Sequence, residues 1–250
     1  MKQLGLIGYP LSHSFSKRYF SDKFINEKID GYHYDLFPLD SIQKLTDLLK
    51  EKPNLVGLNV TIPYKEQVIP FLDEVSKSAK SIGAVNTIVI ENGKLKGYNT
   101  DAYGFEVSLK KFLKPHHQHA LILGTGGAAK AVQYVLEQLN IGYKYVSRTP
   151  TEEQFAYTEL DEKTLKKYKI IINTTPLGMS PNNHQYPAIP YNFLTSEHLL
   201  YDLVYNPAES SFLKNGKAKG AAIKNGLEML HLQAEKAWSI WNNLELKITN

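Results

Sequence analysis

Short apolar runs alternate along the chain with stretches whose apolar residues recur at helical spacing. Leu4–Gly8 reads as a buried strand, Ser16–Lys28 as a helix and His33–Phe37 as a second strand. Ser41–Lys50 places Ile42, Leu45, Leu48 and Leu49 on one helical face. Leu55–Thr61 is a further strand, and Pro63 suits the first position of a helix. Ala84–Ile90 and Lys94–Tyr98 flank Asn92-Gly93, the favoured two-residue turn, so this stretch predicts a hairpin. A helix over Ala102–Leu113 follows. Alternating strands and helices imply an α/β fold with a mainly parallel sheet.

A second unit begins after that helix, reached through the polar link His116–His119. Its three histidines invite a zinc reading, but no carboxylate or cysteine nearby completes a ligand set, so no metal is expected. Ala120–Leu123 is then a buried strand, and Gly124, Gly126 and Ala129 fit G-x-G-x-x-G/A before an amphipathic helix over Ala128–Leu139. The first glycine permits a tight turn, the second lets a pyrophosphate approach the backbone, and the small third residue lets helix and strand pack closely. Tyr143–Val146 supplies the next strand of a βαβ unit, the context that gives a glycine fingerprint meaning. Without that context it would be a glycine-rich turn. A dinucleotide site for NAD puts Asp or Glu at the end of this strand to hold the ribose hydroxyl. Here stand Ser147, Arg148 and Thr149. Arginine grips a 2′-phosphate that a carboxylate would repel, so the expected cofactor is NADP(H). The plain reading is a solvated arginine at a strand end, and Glu152 and Glu153 stand close enough in sequence to weaken the preference.

Composition narrows the function classes. The 250 residues are 42% apolar and 22% charged, which are globular values, and the length suits one or two domains. Absence of cysteine excludes a disulfide framework, a thiolate metal site and a cysteine nucleophile. The net charge of +4 is spread without a basic run, a poor basis for nucleic-acid binding though compatible with an anionic small molecule. No window approaches the ~18 apolar residues of a membrane span, and the N-terminus lacks a signal-peptide core. A cytoplasmic protein acting on a small molecule, as monomer or homodimer, is the expectation.

Four segments carry more polar chemistry than structure demands: SHSFSK (Ser12–Lys17), NVTIPYK (Asn59–Lys65), GAVNT (Gly83–Thr87) and NTD (Asn99–Asp101). Each has a plain reading. Ser14 suits a helix cap, Thr61 an ordinary strand position, Asn86 a sheet-end amide and Asp101 a cap for the helix at Ala102. Lys65 fits less well, since the first turn of a helix opposes a cation and thereby favours a lysine that gives and takes a proton.

Together with GTGGAA, NTTPLGM (Asn173–Met179), DLVYNP (Asp202–Pro207) and NGLEMLHLQA (Asn225–Ala234), these motifs resemble the shikimate dehydrogenase family nearly end to end. The resemblance implies reduction of 3-dehydroshikimate to shikimate with NADPH, in the route to aromatic amino acids. It assigns the substrate carboxylate to Ser14 and Ser16, catalysis to Lys65 and Asp101, and the substrate hydroxyls to Thr61, Asn86 and Gln233. Leu203, Tyr205 and Gly226 would line the nicotinamide side, with Tyr205 also reaching the substrate. The fingerprint residues Gly124, Gly126, Gly127, Ala128 and Ala129 would hold the pyrophosphate, and Ser147, Arg148 and Thr149 the adenosine phosphate.

It further implies that the helix Leu227–Trp241 returns to the first domain. The substrate-binding domain is then 1–102 plus 226–250, the Rossmann domain is 103–225, and the active site lies in the cleft between them. The chain departs from the family where Ser147 replaces a common Asn, where acids follow the Arg-Thr pair, and where Lys17 stands in place of a frequent Pro. Two alternatives stay open. One is a quinate/shikimate dehydrogenase that also uses NAD; the other is a non-catalytic NADP-binding sensor, which would not need both Lys65 and Asp101.

Overall fold

The structure, a computed structural model, describes residues 1–11 and 14–243. The chain forms two compact α/β units, one of Met1–Thr100 with the chain from Ala234 onward, the other of Asp101–Gln233.

The first unit holds strands β1 (Lys2–Gly8), β2 (Tyr32–Pro38), β3 (Leu55–Val60), β4 (Glu74–Val75), β5 (Thr87–Glu91) and β6 (Lys94–Tyr98). Between them run helices α1 (Phe15–Asn26), α2 (Leu45–Glu51), α3 (Tyr64–Gln67) and α4 (Lys77–Ile82). The strand order is β2-β1-β3-β5-β6-β4, with β2, β1 and β3 parallel, β5 antiparallel to β3, and β6 antiparallel to β5 in a hairpin. Alternation along β1 explains why both faces are covered. Leu4 and Leu6 point to one side, with Phe20, Tyr34 and Trp241, while Ile7 joins Leu45, Leu58, Val60 and Ile88 on the other. Gly57 on β3 has a packing reason, since a Cβ there would meet the Trp241 indole at 2.3 Å, and that indole donates to the Ile88 carbonyl at 2.9 Å.

The second unit opens with α5 (Asp101–Lys110), then alternates β7 (His119–Leu123), α6 (Gly127–Gln138), β8 (Gly142–Ser147), β9 (Phe155–Ala156), α7 (Glu162–Lys167), β10 (Ile170–Asn173), β11 (Leu199–Asp202), α8 (Ser211–Lys217) and β12 (Ala222–Asn225). The last helix, α9 (Leu227–Trp241), begins here, and its residues from Ala234 pack in the first unit. All pairings in the order β12-β11-β10-β7-β8-β9 are parallel. The chain leaves β7 toward β8 on one side and returns to β10 on the other. That reversal opens a crevice at the strands' C-terminal ends.

Three local expectations change. Ser41–Lys50 is a 3-10 turn over Ile42–Lys44 followed by α2, because the apolar spacing is met by two short turns. Pro63 caps α3 rather than starting it, and α3 is only four residues long. So short a helix sums few peptide dipoles, which removes most of the field expected at Lys65. Ser14 occupies the N-cap of α1 with extended backbone, yet its side chain makes no capping bond.

Candidate functional site

Unlike the plain readings of its motifs, the first unit gathers their polar residues where β3 ends. Asn59, in register with Thr87 across β3–β5, accepts from the fully buried Tyr34 hydroxyl at 2.8 Å and donates to the Asn86 carbonyl and to Thr87 Oγ1, each at 3.3 Å. The Asn86 amide holds the next residue in the chain of contacts. Its Nδ2 donates to Thr100 Oγ1 at 3.0 Å and its Oδ1 accepts from the Thr100 N–H at 2.7 Å. Burying so many amides and hydroxyls is affordable only because each is bonded, and bonded groups are fixed in direction. Thr100 immediately precedes Asp101, the buried first residue of α5.

Lys65 is half-buried on α3, and its carbonyl accepts from the Val85 N–H at 2.7 Å, tying the Lys65 and Asn86 segments together through the backbone. Thr61, also half-buried, is held by a bond from its N–H to the Ile7 carbonyl at 2.9 Å. The hydroxyl of Ser14 is enclosed without a hydrogen-bond partner among the described residues. A buried hydroxyl left unbonded costs stability, so it marks a place where a bound group is expected. Ser16 lies against the Tyr34 phenol, whose ionisation is pushed far up by burial. Ser12 and His13 of the same motif lie outside the described residues.

Lys17 also finds its physical reason. It pairs with Asp35 on β2 at 2.7 Å, fastening the first turn of α1 to the sheet and holding the Asp35 carboxyl below the usual range. Gln233 is buried on α9, and its Nε2 turns back to donate to the Leu230 carbonyl at 3.0 Å.

In the second unit the fingerprint sits at the crevice beside β7. Gly124 has φ +101°, a conformation open to glycine, and a Cβ there would meet Thr174 Oγ1 and Thr175 Cγ2 at 3.0 Å. Gly126 caps α6 with no side chain, and a Cβ placed on it would face open space. Gly127 and Ala128 open the helix, and Ala129 is fully buried against the strand side. A helix N-terminus with bare backbone and clearance in front of it is what a pyrophosphate needs, so these residues fit a dinucleotide.

Ser147 ends β8, and its hydroxyl accepts from the Thr149 N–H at 3.2 Å, shaping the turn that displays the exposed Arg148. Leu203 and Tyr205 follow β11, and Gly226 follows β12. A Cβ on Gly226 would strike the Leu203 carbonyl oxygen at 2.2 Å, so only glycine lets these segments touch. Burial raises the Tyr205 phenol. Two histidines of the link bond the backbone: the Nε2 atoms of the exposed His116 and the buried His117 both reach the Glu197 carbonyl at 3.1 Å. Among the described residues no cluster of His, Cys, Asp or Glu is arranged to hold a metal ion.

Sequence reading missed the groups that hold these segments: Tyr34, Asn59 and Thr100 in the first unit, Asn173, Asp202 and Ser210 in the second. A signal existed in IIIN and LLYD, each an apolar strand closed by one polar residue.

Residues 6–88 match the shikimate dehydrogenase substrate binding domain. Shikimate dehydrogenase (NADP(+)) of Carboxydothermus hydrogenoformans is 42% identical over 97% of this chain and 92% of its own length. The chain belongs to the shikimate dehydrogenase family. A second family member, shikimate dehydrogenase (NADP(+)) of Clostridium beijerinckii, is 41% identical over 98% of this chain and 94% of its own. The crystal structure of shikimate 5-dehydrogenase from Thermus thermophilus in complex with NADP(H) and shikimate matches with a TM-score of 0.85. It is 31% identical and covers 98% of this chain and 94% of that one. Both sheets described above, and the Rossmann order of the second, are therefore those of the shikimate dehydrogenase fold. No helix among the described residues is long and apolar enough to cross a membrane.

Proposed function

We propose that this chain reduces 3-dehydroshikimate to shikimate reversibly, using NADPH, in the synthesis of aromatic amino acids. The observation that carries the reading is Ser14: a buried hydroxyl at a helix N-terminus, without a hydrogen-bond partner among the described residues, in the part of the chain that matches the substrate binding domain. It supplies an uncharged donor for a substrate carboxylate, with Ser16 beside it. Thr61, Asn86 and Gln233 take the ring hydroxyls in this reading. Asn86 keeps part of its amide for the task, since one Nδ2 hydrogen goes to Thr100 and an amide nitrogen carries two.

NADP(H), when bound, supplies or accepts the hydride. The chain's own work is positioning and proton transfer. Gly124, Gly126, Gly127, Ala128 and Ala129 leave room for the pyrophosphate, Arg148 with Ser147 and Thr149 meets the 2′-phosphate, and Leu203, Tyr205 and Gly226 border the nicotinamide half. Lys65 donates a proton to the ketone oxygen as it becomes an alkoxide, and takes it back in the reverse direction. Asp101 orients the lysine and stabilises its charge. In this reading the protein is cytoplasmic, a monomer or homodimer, and acts on small molecules alone.

One steady-state experiment tests it: shikimate and quinate, each with NADP and with NAD. Turnover should be highest with shikimate and NADP. Equal use of quinate and NAD would favour the broader quinate/shikimate activity. NADPH binding without turnover of either acid would make the chain a sensor and overturn the catalytic reading.

A further inference from the structure

A carboxylate that no part of the proposed chemistry uses lies at the crevice edge of the second sheet. Asp202 ends β11, and its register partner on β10 is Asn173. Both are fully buried. Oδ1 of Asp202 accepts from Asn173 Nδ2 at 2.9 Å and from the Val204 N–H at 3.0 Å, while Oδ2 accepts from the Ser210 hydroxyl just before α8. The opposite side of the Asn173 amide is equally occupied. Its Oδ1 accepts from the Thr175 N–H at 3.0 Å and from Thr175 Oγ1 at 2.6 Å, and its main-chain carbonyl accepts from the Leu203 N–H at 2.9 Å.

Two side chains thus hold the loop after β10, the loop after β11 and the start of α8. From the other flank the Gly226 N–H donates to the Val204 carbonyl at 3.2 Å. Each of these partners of the carboxylate is an uncharged donor, and the titratable side chain that senses its charge is Tyr191, a phenol. A buried anion held only by neutral donors is a poor device for stability, because an apolar replacement usually serves as well. It is a good device for direction, because an ionised carboxylate only accepts and so dictates which way each donor points.

We propose that Asp202, through Asn173 and Ser210, is the positioning residue that fixes the Leu203–Tyr205 segment in the shape that receives the nicotinamide half of NADP(H). The inference rests on the cofactor reading above. It adds that the segment's conformation is set from beneath by one ionised group.

The probes are NADPH, followed by its fluorescence, and adenosine 2′,5′-bisphosphate, which carries only the adenosine end and is measured by displacement. At pH 7.5 Asp202→Asn should bind NADPH about tenfold more weakly, the worth of a misdirected hydrogen bond or two, and bind the bisphosphate as the wild type does. Its thermal midpoint should be unchanged or higher. The carboxyl is pushed up to about 6 by burial, so the Asp202→Asn deficit should shrink as the wild type protonates toward pH 5.5. The cofactor's own phosphate titrates in the same range, at about 6, so each variant is read as a ratio to wild type at the same pH.

Ser210→Ala, a second variant should the first fail to fold, removes a donor that holds the carboxyl down. Its deficit relative to wild type should grow between pH 7.5 and 6.5. Wild-type NADPH affinity in both variants, or an equal loss for the bisphosphate, would overturn the inference. Failure of the unaltered protein to bind NADPH would instead overturn the cofactor reading.

Discussion

Where β3 ends in the first unit, Tyr34, Asn59, Asn86, Thr87 and Thr100 bond one another, and all are uncharged. Where β10 and β11 end in the second, the same kind of amide, Asn173, works with an ionised partner, Asp202. The surfaces they support differ as well. The first unit presents side chains: the Ser14 hydroxyl, Lys65, Thr61. The second presents backbone and clearance, as at Gly124, Gly126 and Gly226. A small polar substrate is recognised group by group and needs individual side chains. A pyrophosphate needs a helix end approached closely, so absence of side chains is the functional property. The first unit should therefore fail by deletion and the second by addition.

The largest effect expected from deletion is at Lys65. Lys65→Ala should lose about 10²–10⁴-fold in turnover with a nearly unchanged Michaelis constant for shikimate, as removal of a general acid does. Lys65→Met should behave alike, and pairing either with Asp101→Asn should cost far less than the product of the single effects. A Lys65→Ala enzyme with normal turnover and a raised Michaelis constant would make the lysine a binding group. Addition is tested next, by alanine at two glycines. Gly126→Ala meets open space and should fold with an unchanged midpoint, yet bind NADPH at least about tenfold more weakly, because the methyl occupies the phosphate's approach. Gly124→Ala must hold φ +101° and press on Thr174, so it should lose stability as well, by about 1–3 kcal/mol. Calorimetry beside NADPH titration separates the two. If Gly126→Ala binds normally, the clearance is not a ligand's.

Arg148 is the exception in the proposed cofactor site, an exposed side chain assigned there for its charge. Arg148→Ala should raise the Michaelis constant for NADP by about tenfold or more and leave that for NAD nearly unmoved. An equal rise for both would remove the phosphate from this position. Ser14→Ala closes the comparison with a deletion that should cost the free protein nothing. Its hydroxyl has no partner to lose among the described residues, so the midpoint should hold or rise while shikimate affinity falls about tenfold. Unchanged affinity in an isothermal titration would take Ser14 out of the site.

What the sequence disclosed follows the same division. Glycines, strand runs and the arginine at a strand end have meaning locally, so the βαβ unit was legible from residues a few positions apart, and the arginine is what the proposed NADP preference rests on. Asn59 and Thr100 are linked only because β3, β5 and the segment after β6 come together, and nothing in NVTIPYK or NTD says which amide faces which. Asp202 hid for a related reason. Its motif was visible, but a carboxylate at the end of LLYD acquires its work from a register partner in another strand. Ser14 carried two readings, a cap from its position and a carboxylate ligand from the resemblance; its backbone permits the cap, but the hydroxyl makes no capping bond and is enclosed without a partner among the described residues.

The smallest effect contrasts the two ends of a single strand. At the start of β11 His198 is buried, its Nε2 donating to the Leu165 carbonyl at 2.9 Å and its Nδ1 accepting from the Thr195 N–H at 3.0 Å. His117 is built alike, with Nδ1 accepting from the Lys114 N–H and Nε2 donating to the Glu197 carbonyl. Both geometries require the neutral ring, and burial accordingly lowers both histidines below their ordinary 6.5. An unfolded chain then takes up protons before the folded one does. The stability these rings contribute is complete above 6.5 and is lost as pH falls through their folded values. Asp202, at the far end of the strand, has the opposite sign. Raised from 3.8 to about 6, it favours the folded protein below 3.8 and loses that contribution, on the order of 3 kcal/mol, as pH rises through 6. Thermal melts from pH 7.5 to 4.5 should therefore show a shallow decline in which the two ends partly cancel. His198→Gln should flatten the upper part of that decline. Asp202→Asn should leave the midpoint at pH 7.5 unchanged or higher and make the acid fall steeper, because the opposing contribution is gone. Melts in Asp202→Asn that parallel the wild type at every pH would mean that this carboxyl does not titrate in the range its burial demands.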